Sequence, residues 1–374
     1  MKKRIELISI FILLILFSAT NAQTVSYRVE TVAAGLEVPW AIAFAPDGRI
    51  FVTERAGRLR VIENGKLNPQ PLYTIPDVEK SGETGLMGMT LHPNFRQNHF
   101  IYLAYAYSGK GKKVRVVRFR ETGTTLTERM VIIEDIPAAK YHAGCRIKFG
   151  PDGKLYVSTG DATEKKKAQR LDVLNGKFLR LNDDGGVPND NPFLNQPNAR
   201  REIWTYGNRN SQGFDWQPET NLLFATEHGP SLIDGISFVL RNGGGDEVNI
   251  IERGKNYGWS VIHHKQTRAG MESPLLEYTP AIAPAGASFY RGNLFPRWRG
   301  SFFFACLKGE MLIRVALDGR NVLAQERFFE KKYGRLRDVA EAPDGTIYFV
   351  TSNRDGRGKP AREDDRVLRI VPNK

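Results

Sequence analysis

The stretch that decides the fold is PDGKLYVSTGD, at residues 151–161. Close copies of it occur as PDGRIFVTE at 46–54 and PDGTIYFVTSN at 343–353. In each copy a Pro-Asp-Gly turn precedes β-branched and aromatic residues, a pattern typical of a turn that leads into a buried strand. Weaker copies fill the intervals between these three, beginning at His92, Gln217 and Phe295. The recurrence predicts six copies of one structural unit.

A second apolar run follows most of these units and would pair with the first as a hairpin. The runs are RLRVIENGK from Arg58, KVRVVRFR from Lys113, KFLRLNDDG from Lys177, MLIRVALDG from Met311 and RVLRIVP from Arg366. Short strands that recur with hardly any helical periodicity between them indicate an all-β six-bladed β-propeller with four-stranded blades. Residues 23–374 would form this single domain, with long loops converging on one face.

The first 22 residues have the pattern of a secretory signal peptide. Lys2, Lys3 and Arg4 precede an apolar run at 8–17, which small and polar residues close at Ala22. The run is too short to span a bilayer, and no later stretch reaches the ~18 uncharged apolar residues of a membrane helix. We therefore expect a periplasmic or secreted protein without stable membrane insertion.

The formal net charge of +13 favours anionic ligands or surfaces. The basic residues are scattered along the chain and lack the clustering of a nucleic-acid-binding arm, so no nucleic acid partner is expected. Only two cysteines are present, Cys145 and Cys306. They cannot form a disulfide framework, and the sequence leaves open whether they pair or remain buried free thiols.

His142 and Asp161 flank one hairpin, His142 just before its first strand and Asp161 just after its second. Both side chains can therefore reach the same rim of one blade. A carboxylate on one imidazole nitrogen fixes the tautomer and leaves the other nitrogen free to take a proton. The pair predicts a general base, with a purely structural histidine as the alternative.

The segment TYGNRNSQGF at 205–214 carries Arg209, Asn210 and Gln212 between two glycines. Guanidinium and amide groups bind oxyanions and carbonyls through paired hydrogen bonds. A polar loop between blades is the alternative interpretation. Three Gly-rich segments then follow in order: TEHGP at 226–230, GGDEVN at 244–249 and GKNYGW at 254–259.

With these motifs, and with GLEVPWAIAFAPDG from Gly35 and RLRDVAEAPDG from Arg335, the chain resembles the soluble glucose and aldose sugar dehydrogenases that use pyrroloquinoline quinone (PQQ). The resemblance runs from about Gly35 to Pro372. It implies an enzyme that oxidises an aldose at its anomeric carbon to a lactone. Hydride would pass to PQQ with Ca²⁺ assistance, and electrons would then pass to an external acceptor such as a quinone, a cytochrome or a dye.

The resemblance also implies roles for individual residues. His142 would accept the proton of the anomeric hydroxyl, Asp161 would orient it, and Arg209 would bind the quinone oxygen. The remaining residues expected at the cofactor are Glu83, Asn210, Gln212, Lys308, Arg335 and Arg337. Converging cations are costly unless an anion lies among them, and the carboxylates of PQQ would supply it.

For calcium, the resemblance implies that the backbone carbonyls of Gly229 and Pro230 bind the ion that contacts the cofactor. Such a hard, oxygen-coordinated cation can polarise a carbonyl as a Lewis acid. Glu247 and Tyr257 match residues that hold a second, structural calcium. A solvated turn carboxylate is the alternative for Glu247.

Among the departures from the family pattern, two bear on the charge of the site and on the expected calcium. Glu83 stands where glutamine is common, which adds negative charge beside an anionic cofactor. The segment SLIDGISFVLRN at 231–242 is an insertion beside the expected calcium carbonyls. It could displace the ion, form a lid or contact a partner.

Two other functions fit the same architecture, because fold alone does not decide chemistry. A metal-dependent, lactonase-like hydrolase would need several carboxylates and histidines around one metal. A non-enzymatic binding propeller would have lost its cofactor. The set of Arg and Lys residues favours the quinone, and the joint presence of His142, Asp161 and the cations favours an enzyme.

Overall fold

The computed structural model describes residues 25–235 and 244–373. Their strands form six antiparallel sheets. The innermost strands of neighbouring sheets contact one another around a central axis. The predicted six-bladed β-propeller is therefore confirmed. The predicted signal peptide at 1–22 lies outside the described residues.

Each blade extends from an innermost strand at the axis to an outermost strand at the rim. Blade 1 consists of Pro39–Phe44, Ile50–Glu54, Arg58–Glu63 and Lys66–Leu67, with Tyr73–Thr74 also paired to its third strand. Blade 2 consists of Leu86–Leu91, Phe100–Gly109, Gly111–Glu121 and Leu126–Pro137. Blade 3 consists of Ile147–Phe149, Leu155–Ser158, Lys177–Leu181 and Ile203–Tyr206.

Blade 4 consists of Ser211–Trp216, Leu223–Glu227, Asp246–Ile251 and Leu276–Tyr278. Blade 5 consists of Pro284–Phe289, Phe302–Cys306, Met311–Asp318 and Asn321–Phe328. Blade 6 consists of Leu336–Glu341, Ile347–Thr351, Val367–Pro372 and Tyr27–Ala33. The helical segments are short: one α-helical turn at Phe95–Asn98 and 3₁₀ turns at Lys165–Gln169, Leu232–Asp234 and Pro296–Trp298.

Blade 6 closes the ring by combining both ends of the domain. The early strand Tyr27–Ala33 pairs antiparallel with the late strand Val367–Pro372, and Tyr27 lies opposite Pro372. This pairing hydrogen-bonds backbone groups that would otherwise form an open sheet edge.

Every repeat unit found in the sequence joins an innermost strand to the second strand of its blade. The turn that begins at Pro151, for example, lies between Ile147–Phe149 and Leu155–Ser158. These turns therefore share one face of the propeller. The opposite face carries the beginnings of the innermost strands and the ends of the second strands, where the candidate site residues lie.

The second strands of the blades contribute much of the core. Phe302–Cys306 is buried along its whole length. Phe224 of blade 4 packs edge-on against Phe289 of blade 5, with ring centroids 5.2 Å apart. Such contacts between blades remove apolar surface from water, which stabilises the ring by roughly 25 cal/mol per Å². Cys145 and Cys306 are both buried free thiols, which answers the question that the sequence left open.

Within the described ranges, no helix is both long and apolar enough to cross a membrane.

Candidate active site

One cavity of about 340 Å³ lies on the face opposite the repeat turns and brings together residues from several blades. Six of the residues expected from the sequence line it: Glu83, His142, Arg209, Gly229, Pro230 and Lys308. Asn210, Gln212, Arg335 and Arg337 are buried but are not part of its lining. The cavity thus joins segments that are far apart in the chain.

His142 is held against Asp161 as the sequence predicts. His142 Nδ1 lies 2.8 Å from Asp161 Oδ1, and both side chains are buried. This approach requires a glycine at position 160, since a Cβ atom there would lie 1.8 Å from the His142 carbonyl oxygen. The indole Nε1–H of Trp259 donates to Asp161 Oδ2 at 2.7 Å. Both carboxylate oxygens of Asp161 are therefore hydrogen-bonded, which holds the carboxylate in place so that it can orient the His142 imidazole.

Arg209 lies on the other side of the His142 ring, with Nη2 2.8 Å from His142 Nε2. A guanidinium group can only donate hydrogen bonds, so Nε2 must be the acceptor. His142 is then the neutral tautomer that donates Nδ1–H to Asp161 and keeps its lone pair on Nε2. His142 and Arg209 both line the cavity, so Nε2 can serve as a general base there once its contact with Arg209 breaks.

Asn210, Gln212 and Arg337 form a buried network next to this pair. Arg337 Nη1 donates to Gln212 Oε1 at 3.0 Å, and Gln212 Nε2 donates to the Gly144 carbonyl at 3.1 Å. Several buried nitrogen atoms of the site have no hydrogen-bond partner within the described ranges: Arg209 Nε, Asn210 Nδ2, His228 Nε2 and Arg337 Nε. Unsatisfied buried donors are expensive, so the site fits a ligand with several acceptor oxygens.

Arg335 and Arg337, both expected at the cofactor, differ in whether a carboxylate of the chain pairs with them. Arg335 Nε forms a buried ion pair with Asp355 Oδ2 at 2.8 Å. Arg337 has no carboxylate within salt-bridge distance among the described residues. Burial lowers the pKa of Arg337 to about 10, so it remains charged at neutral pH. Arg337 is therefore the stronger candidate for pairing with an anionic ligand.

Glu83 has a counterion that the sequence analysis missed. Its carboxylate accepts from the His142 backbone N–H at 3.2 Å and from Arg357 Nη1 at 3.1 Å. Burial opposes the charge of Glu83, but nearby His228, Arg357, His142 and Arg337 together lower its pKa. The extra negative charge at this position is thus balanced by Arg357.

The loop that carries Gly229 and Pro230 is fixed by Asp246. Asp246 Oδ1 accepts the Gly229 N–H at 2.8 Å, and its Oδ2 accepts the backbone N–H groups of Ile282 and Ala283, each at 2.7 Å. Only glycine fits at 229, because a Cβ atom would lie 2.2 Å from the Gly245 backbone. The two carbonyls expected to bind calcium therefore belong to a rigid loop at the cavity.

Glu247 lies away from the cavity, directly opposite Glu227 on one neighbouring strand and Glu277 on the other. Burial and, next, the charge of Glu227 raise the pKa of the Glu247 carboxyl well above its usual range. The Tyr257 hydroxyl donates to the Ile250 carbonyl at 2.5 Å, so a metal ligand from Tyr257 would be its backbone carbonyl. A cation beside Glu247 would relieve the repulsion between the carboxylates.

The described part of the insertion, residues 231–235, folds onto the cavity. Ser231, Leu232 and Ile233 line it, and the Asp234 carboxylate forms a 2.7 Å ion pair with Arg209. Residues 236–242 of the insertion lie outside the described residues.

The chain matches the family model described as Glucose / Sorbosone dehydrogenase over residues 36–360. It belongs to this family. Aldose sugar dehydrogenase YliI of Escherichia coli is 34% identical over 364 residues, which cover 92% of this chain and 95% of the relative. The PQQ-bound aldose sugar dehydrogenase of Streptomyces coelicolor aligns with a TM-score of 0.80 and 32% identity, over 93% of this chain and 99% of that one. A putative glucose dehydrogenase from Thermus thermophilus aligns with a TM-score of 0.84 and 41% identity, over 92% of this chain and 100% of that one.

Membership of the glucose/sorbosone dehydrogenase family confirms the resemblance found in the sequence and the prediction of a sugar dehydrogenase. The hydrolase alternative finds little support in the geometry. In the described ranges, His142, Asp161 and Asp234 form a group of potential metal ligands, and the guanidinium of Arg209 contacts both His142 and Asp234. A bound cation would have to displace that positive charge.

In this member of the glucose/sorbosone dehydrogenase family, sequence reasoning missed Glu227, Asp234, Asp246, Trp259 and Arg357. Glu227, Asp246 and Trp259 lie inside the quoted motifs TEHGP, GGDEVN and GKNYGW, so the signal was present although no role was assigned. Asp234 lies inside the quoted insertion SLIDGISFVLRN and Arg357 lies outside every quoted segment, and the contacts of both depend on the fold.

Proposed function

We propose that this chain is an exported oxidoreductase that oxidises aldoses at the anomeric carbon to lactones with PQQ and Ca²⁺. The observation that carries the proposal is His142, held as a neutral base between Asp161 and Arg209 at the cavity. Unpartnered buried nitrogens around this pair support a ligand with many acceptors. The proposed signal peptide would deliver the enzyme to an electron acceptor outside the cytoplasm.

His142 would act through Nε2, which takes the proton of the anomeric hydroxyl. Asp161 then stabilises the imidazolium through the Nδ1–H hydrogen bond. Because Nε2 has a single lone pair, its contact with the Arg209 guanidinium must break before it takes the proton. Arg209 could then donate to an oxygen that gains negative charge during the reaction. PQQ, when bound, supplies the two-electron acceptor.

The buried cations would hold the cofactor. Lys308 lines the cavity, and Arg337 has an unused Nε and no carboxylate partner among the described residues. Asn210 offers Nδ2, while Arg337 keeps Gln212 in place. Arg335, already paired with Asp355, would contribute less. The Glu83–Arg357 pair at the cavity can offer carboxylate oxygens to sugar hydroxyls.

Two calcium sites complete the proposal. The Gly229 and Pro230 carbonyls would hold an ion at the cofactor, where a hard cation acts as a Lewis acid. A second ion beside Glu247, with the Tyr257 carbonyl as a further ligand, would have a structural role. Burial and the charge of Glu227 raise the pKa of the Glu247 carboxyl, and a cation beside it would stabilise the charged form.

Reconstitution tests the proposed function. The purified chain is freed of metal and cofactor, and given PQQ alone, calcium alone, or both, before aldoses and an artificial dye are added. We expect sugar-dependent dye reduction only with both additions, and a higher unfolding midpoint with calcium alone because ligands stabilise the state they bind. Absence of dye reduction with every aldose tested, despite bound PQQ, would contradict the proposal.

A further inference from the structure

The inserted turn Ser231–Asp234 places a carboxylate on the guanidinium that the proposed function assigns to the cofactor. Asp234 Oδ2 lies 2.7 Å from Arg209 Nη2, and both side chains are only 3% exposed. The ligand atoms of Asp234, His142 and Asp161 all lie within 4.8 Å of one another. An anion that belongs to the chain itself thus sits beside the catalytic base.

The turn is built to hold this carboxylate in place. The backbone N–H and the hydroxyl of Ser231 both contact Asp234 Oδ2, at 2.8 and 3.2 Å. Lys165 Nζ, from blade 3, donates to the Asp234 backbone carbonyl at 2.6 Å. The intervening Leu232 and Ile233 line the cavity, although 67% and 52% of their respective surfaces are exposed.

The charge of Asp234 persists at neutral pH. Burial would raise the pKa of its carboxyl, but the charge and hydrogen bond of Arg209 outweigh burial and lower it. Arg209 Nη2 already contacts His142 Nε2, Ser231 Oγ and Asp234 Oδ2, and Nη1 donates to the His228 carbonyl. Of the guanidinium nitrogens, only Nε lacks a partner within the described ranges.

We propose that Asp234 is a residue of the cofactor site that competes with the cofactor for Arg209 and thereby sets its affinity. This inference rests on the proposed function. A quinone oxygen or carboxylate that reaches Arg209 must displace the Asp234 carboxylate or share the guanidinium with it. The cofactor oxygens and the Asp234 carboxylate are all anionic or electron-rich acceptors, and like charges repel strongly in a buried site. The insertion therefore lowers cofactor affinity, and removal of its charge raises it.

The test is titration of the apo-protein with PQQ in saturating calcium, followed by absorbance or tryptophan fluorescence, for the parent and for Asp234→Asn. Asparagine keeps the shape of the turn and removes the charge. We expect Asp234→Asn to lower the PQQ dissociation constant about tenfold, which corresponds to ~1.4 kcal/mol. A second variant, Ser231→Ala, leaves the charge but loosens the turn, and should lower the constant by a smaller factor.

The matched control is Asp172→Asn, which removes a carboxylate paired with Arg170 in an exposed ion pair. It should leave PQQ affinity within twofold of the parent, so that a general charge effect is excluded. Unchanged or weaker PQQ binding by Asp234→Asn would overturn the inference while leaving the proposed function standing. Failure of parent and variants alike to bind PQQ would contradict both. A crystal structure of the PQQ-loaded parent in which the cofactor makes no contact with Arg209 would also overturn the inference.

Discussion

Replacement of His142 by glutamine is expected to lower turnover by roughly 10²–10⁴-fold, while the PQQ dissociation constant stays within about threefold of the parent value. A positioned general base contributes this much to a proton-transfer step. Glutamine can still accept a hydrogen bond from Arg209 and donate one to Asp161, so the pocket should keep its shape. Only the ability to take a proton from the sugar is lost.

Single-turnover reduction of the PQQ-loaded variant by an aldose measures this effect apart from acceptor steps. The control is His99→Gln, since His99 is an exposed residue at the end of the helical turn Phe95–Asn98. It should leave both binding and rate unchanged. A His142→Gln enzyme with a normal rate and a raised Michaelis constant would show that His142 binds the substrate and is not the base.

Replacement of Arg337 by alanine is expected to raise the PQQ dissociation constant by at least tenfold, with little change in the sugar Michaelis constant at saturating cofactor. Arg337 is buried, charged and without a carboxylate partner among the described residues. Removal of a buried cation that faces an anion costs on the order of 2–5 kcal/mol, because the anion loses a charge-assisted hydrogen bond. Since ~1.4 kcal/mol is tenfold in affinity, the lower end already exceeds one order of magnitude.

Lys308→Ala should change PQQ affinity in the same direction, because Lys308 lines the cavity. Arg170→Ala is the matched control: it removes a cation from an exposed ion pair and should leave the titration unchanged. PQQ affinities within twofold of the parent for both Arg337→Ala and Lys308→Ala would mean that these cations do not face the cofactor.

The propeller could be predicted because its repeat is local. Each of the three Pro-Asp-Gly turns and the strands on both sides of it span about fifteen residues, and three weaker copies of the unit complete the six blades. The His142–Asp161 pair was predictable for the same reason, since one hairpin separates the two residues.

Some contacts that the sequence could not provide join distant blades. Glu83 meets Arg357 across 274 positions of the chain, and Arg146, beside Gln212, pairs with Asp338 across 192. Such pairs form only when the ring closes, so they cannot be predicted from local spacing. Others lie within one blade: the sequence context of Arg335 matched a cofactor cation, while the loop after the next strand supplies Asp355 as its counterion.

The proposed function requires that sugar reduces a quinone held in this cavity. The absorbance spectrum of the PQQ-loaded, calcium-loaded protein can be followed during anaerobic addition of one equivalent of an aldose, with the product analysed afterwards. We expect loss of the oxidised-quinone absorbance and one lactone per bound PQQ, and neither change in His142→Gln on the same timescale. An unchanged spectrum with no lactone, in a protein whose PQQ occupancy has been verified, would contradict it.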